Sequence, residues 1–363
     1  PNGAQEQIGP GAAAPCPLEE QGCWHGTHVA GIVAGNGTPA DLPIWGVGKG
    51  ANLIAIQVFS RINGFLDCGG VPPCTGAHTP DILAPLVRVY TLRTAYAIGA
   101  DNMSLGAELF SSNCDDQEYK PFIDNLRAVG IATVVASGND GSTNQISAPA
   151  CVSSAVSVGA TTKDDQVAEF SNVAAFLSLF APGDEILSSY PGGQFAVASG
   201  TSMASPHVAG AWAILKQAKP SATVDQVLQA LTETGVMITD TRAGGVTTKP
   251  RIQVDLALLA LLYPGVPLVG SVTPDRGTVG TSLSVTITGI NFESGTTASF
   301  GDGVTVTSTT LVSAHELTIG LTIPLTTAIG ARDVTLTNPG RQTYTHPNSF
   351  TVLPPPPPMG PPL

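Results

Sequence analysis

Charge is scarce in this sequence. Lys, Arg, Asp and Glu make up 12% of its 363 residues, and acids outnumber bases 27 to 15. A formal net charge of −12 leaves no basic patch for a polyanion, which excludes nucleic acid and anionic membrane surfaces as partners. No run of about 20 consecutive apolar residues occurs, so no helix of this sequence is expected to span a membrane. Cys-x-x-Cys pairs are also lacking, and the six cysteines therefore do not read as a thiolate metal site. Periodicity is missing from residues 1–24, a Gly-, Pro- and Gln-rich stretch that reads as surface loop.

What is present is apolar and rich in turns: 42% hydrophobic residues, 41 Gly and 30 Pro. Such a chain packs a core while its surface is Ser, Thr and Gly, a style common in extracellular proteins. Its length is enough for two domains. The cysteines fall at 16, 23, 68, 74, 114 and 151, an even number that fits disulfides and an oxidising compartment. Six cysteines allow many connectivities; nearness in sequence favours Cys16–Cys23, Cys68–Cys74 and then Cys114–Cys151. The start at Pro1-Asn2-Gly3, with neither initiator Met nor signal peptide, reads as a piece of a longer precursor.

From residue 25 to about 262, short apolar runs alternate with helical patterns. Strands are expected at Leu53–Phe59, Asn102–Leu105, Ile131–Ala136 and Ala155–Val158. Helices are expected at His25–Gly35, Asp81–Ile98, Pro121–Val129, Ser202–Lys219 and Val224–Thr232, with Pro220-Ser221 as the junction between the last two. This alternation predicts an α/β fold whose mostly parallel sheet is covered on both faces. Beyond Tyr263-Pro264-Gly265 the helical pattern stops. Short runs at Ser282–Thr288, Ala298–Phe300, Val304–Ser308, Glu316–Leu321, Asp333–Leu336 and Ser349–Val352 predict an all-β domain over 266–353. Five consecutive prolines at 354–358 open a stiff, extended linker through 363.

Two strings carry chemistry: His25-Gly26-Thr27-His28-Val29-Ala30-Gly31 and Gly200-Thr201-Ser202-Met203-Ala204-Ser205-Pro206-His207-Val208-Ala209-Gly210. Each puts a base or a nucleophile at the start of an apolar helix. Unpaired N–H groups there favour negative charge developing on an attacked carbonyl oxygen. Ser202 alone is unreactive and needs a neutral imidazole to take its proton. Taken by itself, His25-Gly26-Thr27-His28 would equally suit a metal pair; the downstream serine string argues against that. His28 and His207 read as packing or hydrogen-bonding residues, and Asp140, Asp164, Asp165 and Asp184 as solvated loop acids.

Together these strings closely resemble the His and Ser signatures of the subtilisin-like (subtilase, peptidase S8) family. Ala136-Ser137-Gly138-Asn139-Asp140-Gly141 is similar to its oxyanion segment, Ser104-Leu105-Gly106 to its substrate-pairing strand, and Phe180-Ala181-Pro182-Gly183 to a segment preceding the Ser motif. The resemblance covers about residues 20–262. It implies a three-layer α/β fold and a secreted serine endopeptidase acting on protein or peptide substrates. His25 would be general base, Ser202 nucleophile and Asn139 oxyanion donor, while Ser104, Leu105 and Gly106 would bind substrate and accommodate a large apolar side chain. No cofactor or catalytic metal is implied; structural calcium is common in the family, although no loop here carries a complete calcium pattern. Val272-Thr273-Pro274, Gly280, Val285–Phe292 and Phe300-Gly301 resemble IPT/TIG immunoglobulin-like domains, a β-sandwich read here as a spacer, and the protein is expected to be a monomer.

The pattern breaks in two places. The family carries an Asp on an upstream strand that orients the imidazole, but residues 1–24 contain only Glu6, Glu19 and Glu20 as acids. A chain lacking that Asp is expected to be weakly active; the alternative is a catalytically impaired protein that binds through its immunoglobulin-like domain. The second break is Ala100-Asp101, where the family has two apolar residues before Asn-Met-Ser.

Overall fold

The computed structural model describes residues 8–9, 11–14, 22–37, 44–64, 68, 72–242, 244 and 246–356. Cys16, Glu6, Glu19, Glu20 and most of the proline-rich linker lie outside these. The chain forms two compact units, Pro1–Val254 and Asp255–Leu363. Among the described residues, no helix is long and apolar enough to cross a membrane.

The first unit is built on a six-stranded sheet. In chain order its strands are β1 (Ala100–Met103), β2 (Ala132–Ala136), β3 (Val156–Thr161), β4 (Leu179–Pro182), β5 (Val236–Thr239) and β6 (Thr248–Arg251). Their order across the sheet is β5-β6-β4-β3-β2-β1. Pairing is parallel from β1 through β4 and on to β6, and only the β5–β6 hairpin is antiparallel. Every residue of β2 and β3 is buried, as parallel strands must be when helices cover both faces.

Six helices are described: α1 (His25–Ala34), α2 (Thr79–Leu92), α3 (Lys120–Ala128), α4 (Thr201–Ala218), α5 (Val224–Glu233) and α6 (Val254–Leu262). On one face of the sheet, Ile82, Leu86 and Val89 of α2 and Ile123 and Leu126 of α3 join Met103, Ile131 and Val135 in one apolar cluster. On the other, α4 packs across β1, β2, β3 and β4 and buries Met203, Val208, Trp212 and Leu215 completely or nearly so. Gly210 lets α4 approach the segment after α1: a Cβ there would lie 2.8 Å from Val47 Cβ and 3.1 Å from the Val33 carbonyl oxygen.

Several boundaries differ from the sequence reading. The expected strand Leu53–Phe59 forms no strand pairing, and Leu53, Ile54 and Ile56 are exposed. Its short apolar run is that of a strand, but among the described residues nothing supplies the neighbouring ladder. Helix α2 runs over 79–92 rather than 81–98. Pro80 favours the earlier start, and the Ala95 and Tyr96 N–H groups turn back onto the Leu92 carbonyl to end it. The strand expected at Asn102–Leu105 pairs instead over Ala100–Met103. Helix α5 is started by Thr223, not by Pro220-Ser221. Thr223 Oγ1 accepts from the Gln226 N–H at 3.2 Å, and Gln226 Oε1 accepts from the Thr223 N–H at 3.0 Å. This reciprocal capping box satisfies two orphan donors.

The Cys68–Cys74 and Cys114–Cys151 disulfides are formed as expected, with Cα–Cα distances of 5.5 and 5.4 Å. Cys23 is disulfide-bonded as well; Cys16, its expected partner, is outside the described residues.

The second unit contains β7 (Leu268–Thr273), β8 (Arg276–Thr278), β9 (Thr281–Ile290), β10 (Thr297–Ser299), β11 (Thr305–Ser313), β12 (Glu316–Ile323), β13 (Gly330–Thr337) and β14 (Thr343–Leu353). They form two four-stranded sheets, β7-β9-β12-β11 and β8-β14-β13-β10. Strand β12 alternates strictly, burying Leu317, Ile319, Leu321 and Ile323. Ile287 and Val285 of β9 sit opposite Leu317 and Ile319, and the other sheet adds Val334, Leu336, Phe350 and Val352 to the same cluster. Phe300 and Phe350 meet edge to face, with centroids 5.2 Å apart.

Candidate active site

Ser202 is the second residue of α4, the helix that crosses the parallel sheet, and the loop after β2 lies against that helix's first turn. The Thr201 N–H donates to Asn139 Oδ1 at 2.8 Å, and the Thr201 hydroxyl donates to the same oxygen at 3.0 Å. A backbone N–H can only donate, so the atom facing it must be the amide oxygen. This fixes the Asn139 amide and leaves Nδ2, which has no partner among the described residues, as a donor beside the start of α4. The Gly138 N–H in turn donates to Thr201 Oγ1 at 3.1 Å.

The loop that carries Asn139 is held from beneath by Asn172, which is fully buried. Asn172 Oδ1 accepts from the Asp140 and Ser142 N–H groups at 2.9 and 3.0 Å, while Nδ2 donates to Asp140 Oδ2 at 2.9 Å. Gly138 has φ +105°, and a Cβ there would fall 2.2 Å from Ser147 Oγ and 2.3 Å from Asn172 Nδ2. Only glycine fits that corner.

Ser104 follows the edge strand β1, and its side chain turns toward α4. The hydroxyl donates to the Ser202 carbonyl at 2.8 Å, lies 2.9 Å from Ser205 Oγ and accepts from Asn102 Nδ2 at 3.0 Å. That carbonyl would ordinarily receive the N–H of the residue four positions on. Here that residue is Pro206, inside the helix and without an N–H. Of the other residues expected to bind substrate, Gly106 lines a cleft of about 250 Å³ with Ala107, Gly138, Asn139, Asp140 and Ser147. Leu105 instead packs against the core cluster.

His25 opens α1 and is half-buried. Burial holds its imidazole below the usual histidine range, and the neighbouring His28 pushes in the same direction. A neutral ring at neutral pH is the state that can accept a proton. Trp24 covers both rings edge-on, with centroids 5.8 Å from His25 and 5.7 Å from His28. His28 is fully buried, and its Nε2 donates to the Ala196 carbonyl at 3.0 Å. His207 Nδ1 donates to the Met203 carbonyl at 2.8 Å. Both make structural hydrogen bonds.

The sequence profile of the Subtilase family (peptidase S8) matches residues 8–253. The chain belongs to the subtilase family. It is 32% identical over 229 residues to subtilisin BL of Lederbergia lenta, covering 63% of this chain and 76% of that protein. It is 38% identical over 209 residues to an extracellular serine proteinase of Thermus sp. (strain Rt41A), covering 57% of this chain and 44% of the relative. The crystal structure of a cold-adapted subtilisin-like serine proteinase superposes with a TM-score of 0.50 at 30% identity, over 63% of this chain and 73% of that one. By family, then, the chain is a subtilisin-like serine protease, a hydrolase of protein or peptide substrates.

Two further aspects of this subtilase site concern acids. Among the described residues, no carboxylate is hydrogen-bonded to the His25 ring, and β1 is the open edge of the sheet. No group of three or more His, Cys, Asp or Glu side chains converges among the described residues to hold a metal ion. Asp165, one of the loop acids, is bound in bidentate fashion by Arg251.

Thr201, Asn172 and the Ser104–Ser202 bond were not singled out from sequence. One signal for the last was present: a proline four residues after the serine removes the donor for the Ser202 carbonyl.

Proposed function

We propose that the chain is a secreted serine endopeptidase that cleaves peptide bonds through an acyl-enzyme on Ser202. The observation that carries this reading is the Asn139 amide, locked by Thr201 with Nδ2, unpartnered among the described residues, beside the helix that starts at the nucleophile. As Ser202 Oγ attacks the carbonyl carbon, the neutral His25 ring takes the hydroxyl proton. The oxyanion is held by Asn139 Nδ2 and the Ser202 N–H. Collapse expels the amine, which His25 protonates. Water then attacks the acyl ester with His25 again as base, and Ser202 Oγ leaves as the hydroxyl. Disulfide bonding and the extracellular relative support a secreted location.

In this reading the acid that orients His25 belongs on a strand added along the open edge of β1. In a subtilisin, loss of that Asp lowers turnover by about 3 × 10⁴, so the described residues alone carry weak activity. The second unit is read as an IPT/TIG-like immunoglobulin sandwich acting as a spacer, since its described residues present no catalytic constellation.

The experiment is labelling of the purified chain with a fluorophosphonate probe, read by intact mass, with Ser202→Ala as control. A single adduct that disappears in the control is the expected result. No adduct on the Ser202 chain would mean that the nucleophile is not activated and would overturn the reading.

A further inference from the structure

Trp24 stands directly before α1 and contributes no cap to that helix. Ser, Thr, Asp or Asn at this position would accept from a free N–H of the first turn, whereas Trp24 makes no side-chain cap bond. Its ring makes aromatic contacts instead. The indole meets the His25 and His28 imidazoles edge to face and lies nearly parallel to the Tyr190 ring, with 21° between the planes and 6.1 Å between centroids. Rings at these separations and angles attract one another beyond simple burial.

The indole is braced on two sides. Cys23, the residue before it, is buried and disulfide-bonded. Tyr190 ends the strand Ile186–Tyr190, which pairs antiparallel with Gln194–Ala198. This hairpin is fastened to α1 at His28: the Ser188 hydroxyl donates to the His28 carbonyl at 2.7 Å, and His28 Nε2 donates to the Ala196 carbonyl at 3.0 Å. Tyr190 therefore keeps its place relative to α1. His28 lies three residues on from His25, on the same helix face, and its ring is held by that bond. His25 has no such fastening, because among the described residues no hydrogen bond or ion pair holds its ring.

We propose that Trp24 is a positioning residue for the general base: its indole, braced by Tyr190, holds the His25 imidazole in the orientation from which it takes the Ser202 proton. The inference rests on the endopeptidase reading above. A base that turns away from its partner loses rate in proportion to the time it spends turned. The indole also keeps water off the ring and so adds to the burial that holds this imidazole below the usual histidine range. The other titratable groups in ring contact with the indole are His28 of α1 and Tyr190 of the hairpin.

The test is the rate of fluorophosphonate labelling of Ser202 against pH, for the full chain and for Trp24→Leu, Trp24→Phe and Tyr190→Leu, compared at equal folded fraction. Trp24→Leu keeps apolar bulk without a ring and should label about three- to tenfold more slowly. Its acid midpoint should move up toward 6.5 as water reaches the imidazole. Trp24→Phe restores a ring and should recover most of the rate and of the lowered midpoint. Tyr190→Leu should move rate and midpoint the same way by less, and it serves if Trp24→Leu does not fold, since it leaves the start of α1 intact. A merely structural role would lower the folded fraction and leave the midpoint in place. An unchanged rate or an unmoved midpoint in the Leu variants, or no recovery in Trp24→Phe, would overturn the proposal. Normal labelling that these substitutions leave unaltered defeats the positioning role alone, whereas absent labelling of the unsubstituted chain defeats the endopeptidase reading and this role with it.

Discussion

The Ser104 hydroxyl donates to the Ser202 carbonyl at 2.8 Å, supplying the hydrogen bond that Pro206 cannot. Without it, the carbonyl of the proposed nucleophile would have no donor from its own helix. Ser104→Ala is expected to destabilise the chain by about 1–3 kcal/mol. It should also slow fluorophosphonate labelling about tenfold, as the first turn of α4 loosens. Ser104→Thr keeps the hydroxyl and should restore the labelling rate. Equal rates for all three chains would remove Ser104 from the site.

Asn139 and Thr201 separate donation from positioning. Asn139→Asp keeps an oxygen for Thr201 but loses the Nδ2 donor, and labelling should fall by about 10²–10³. Thr201→Val keeps the backbone N–H that reaches Asn139 and loses only the hydroxyl, so the fall should be about tenfold. Labelling rates of the two variants, compared at equal folded fraction, check this order.

Protonation of His25 sets the acid limb of the labelling profile. Burial holds this imidazole below 6.5, so reactivity should persist into mildly acidic solution and be lost only below the usual histidine midpoint. The measurement is the labelling rate against pH. An acid limb centred above 6.5 would contradict the burial argument.

Asp101 predicts a pH dependence of stability. Its carboxyl accepts a 2.9 Å bond from the Thr133 hydroxyl, but Oδ2 is enclosed without a partner. Burial raises its pKa from 3.8 to about 7, against the smaller opposing effect of Thr133. The folded chain thus holds a proton that the unfolded chain has already released. Stability should fall as pH rises from about 4 to about 7, by up to about 1.4 kcal/mol per unit, and then level off. Asp101→Asn should flatten that slope. Urea midpoints at pH 5 and pH 8 for both chains provide the check.

Much of the first unit was legible because its chemistry is local. The HGTHVAG and GTSMASPHVAG strings place a base and a nucleophile at helix starts, and α1 and α4 begin within one residue of where those strings predict. The mainly apolar, β-branched runs of β2 and β3, in which Thr133, Ser157 and Thr161 are buried as well, could be read as strands because both their faces are covered. Leu53–Phe59 shows the limit: its run is equally apolar, but a ladder requires a neighbour that no local pattern encodes. The β5–β6 hairpin was missed because Val236–Thr239 and Thr248–Arg251 are short and joined by a long connection. The support that Asn172 gives to Asp140 and Ser142 is likewise a long-range relation.

The Cys114–Cys151 bridge has a consequence for a protein that cuts proteins. The segment it spans includes β2, the Asn139 loop and Ser147 at the end of the cleft. A single self-inflicted nick between the two cysteines separates no fragment, because both halves remain covalently joined across the bridge. Such a molecule would pass as intact on a non-reducing gel and fall into two pieces only after reduction.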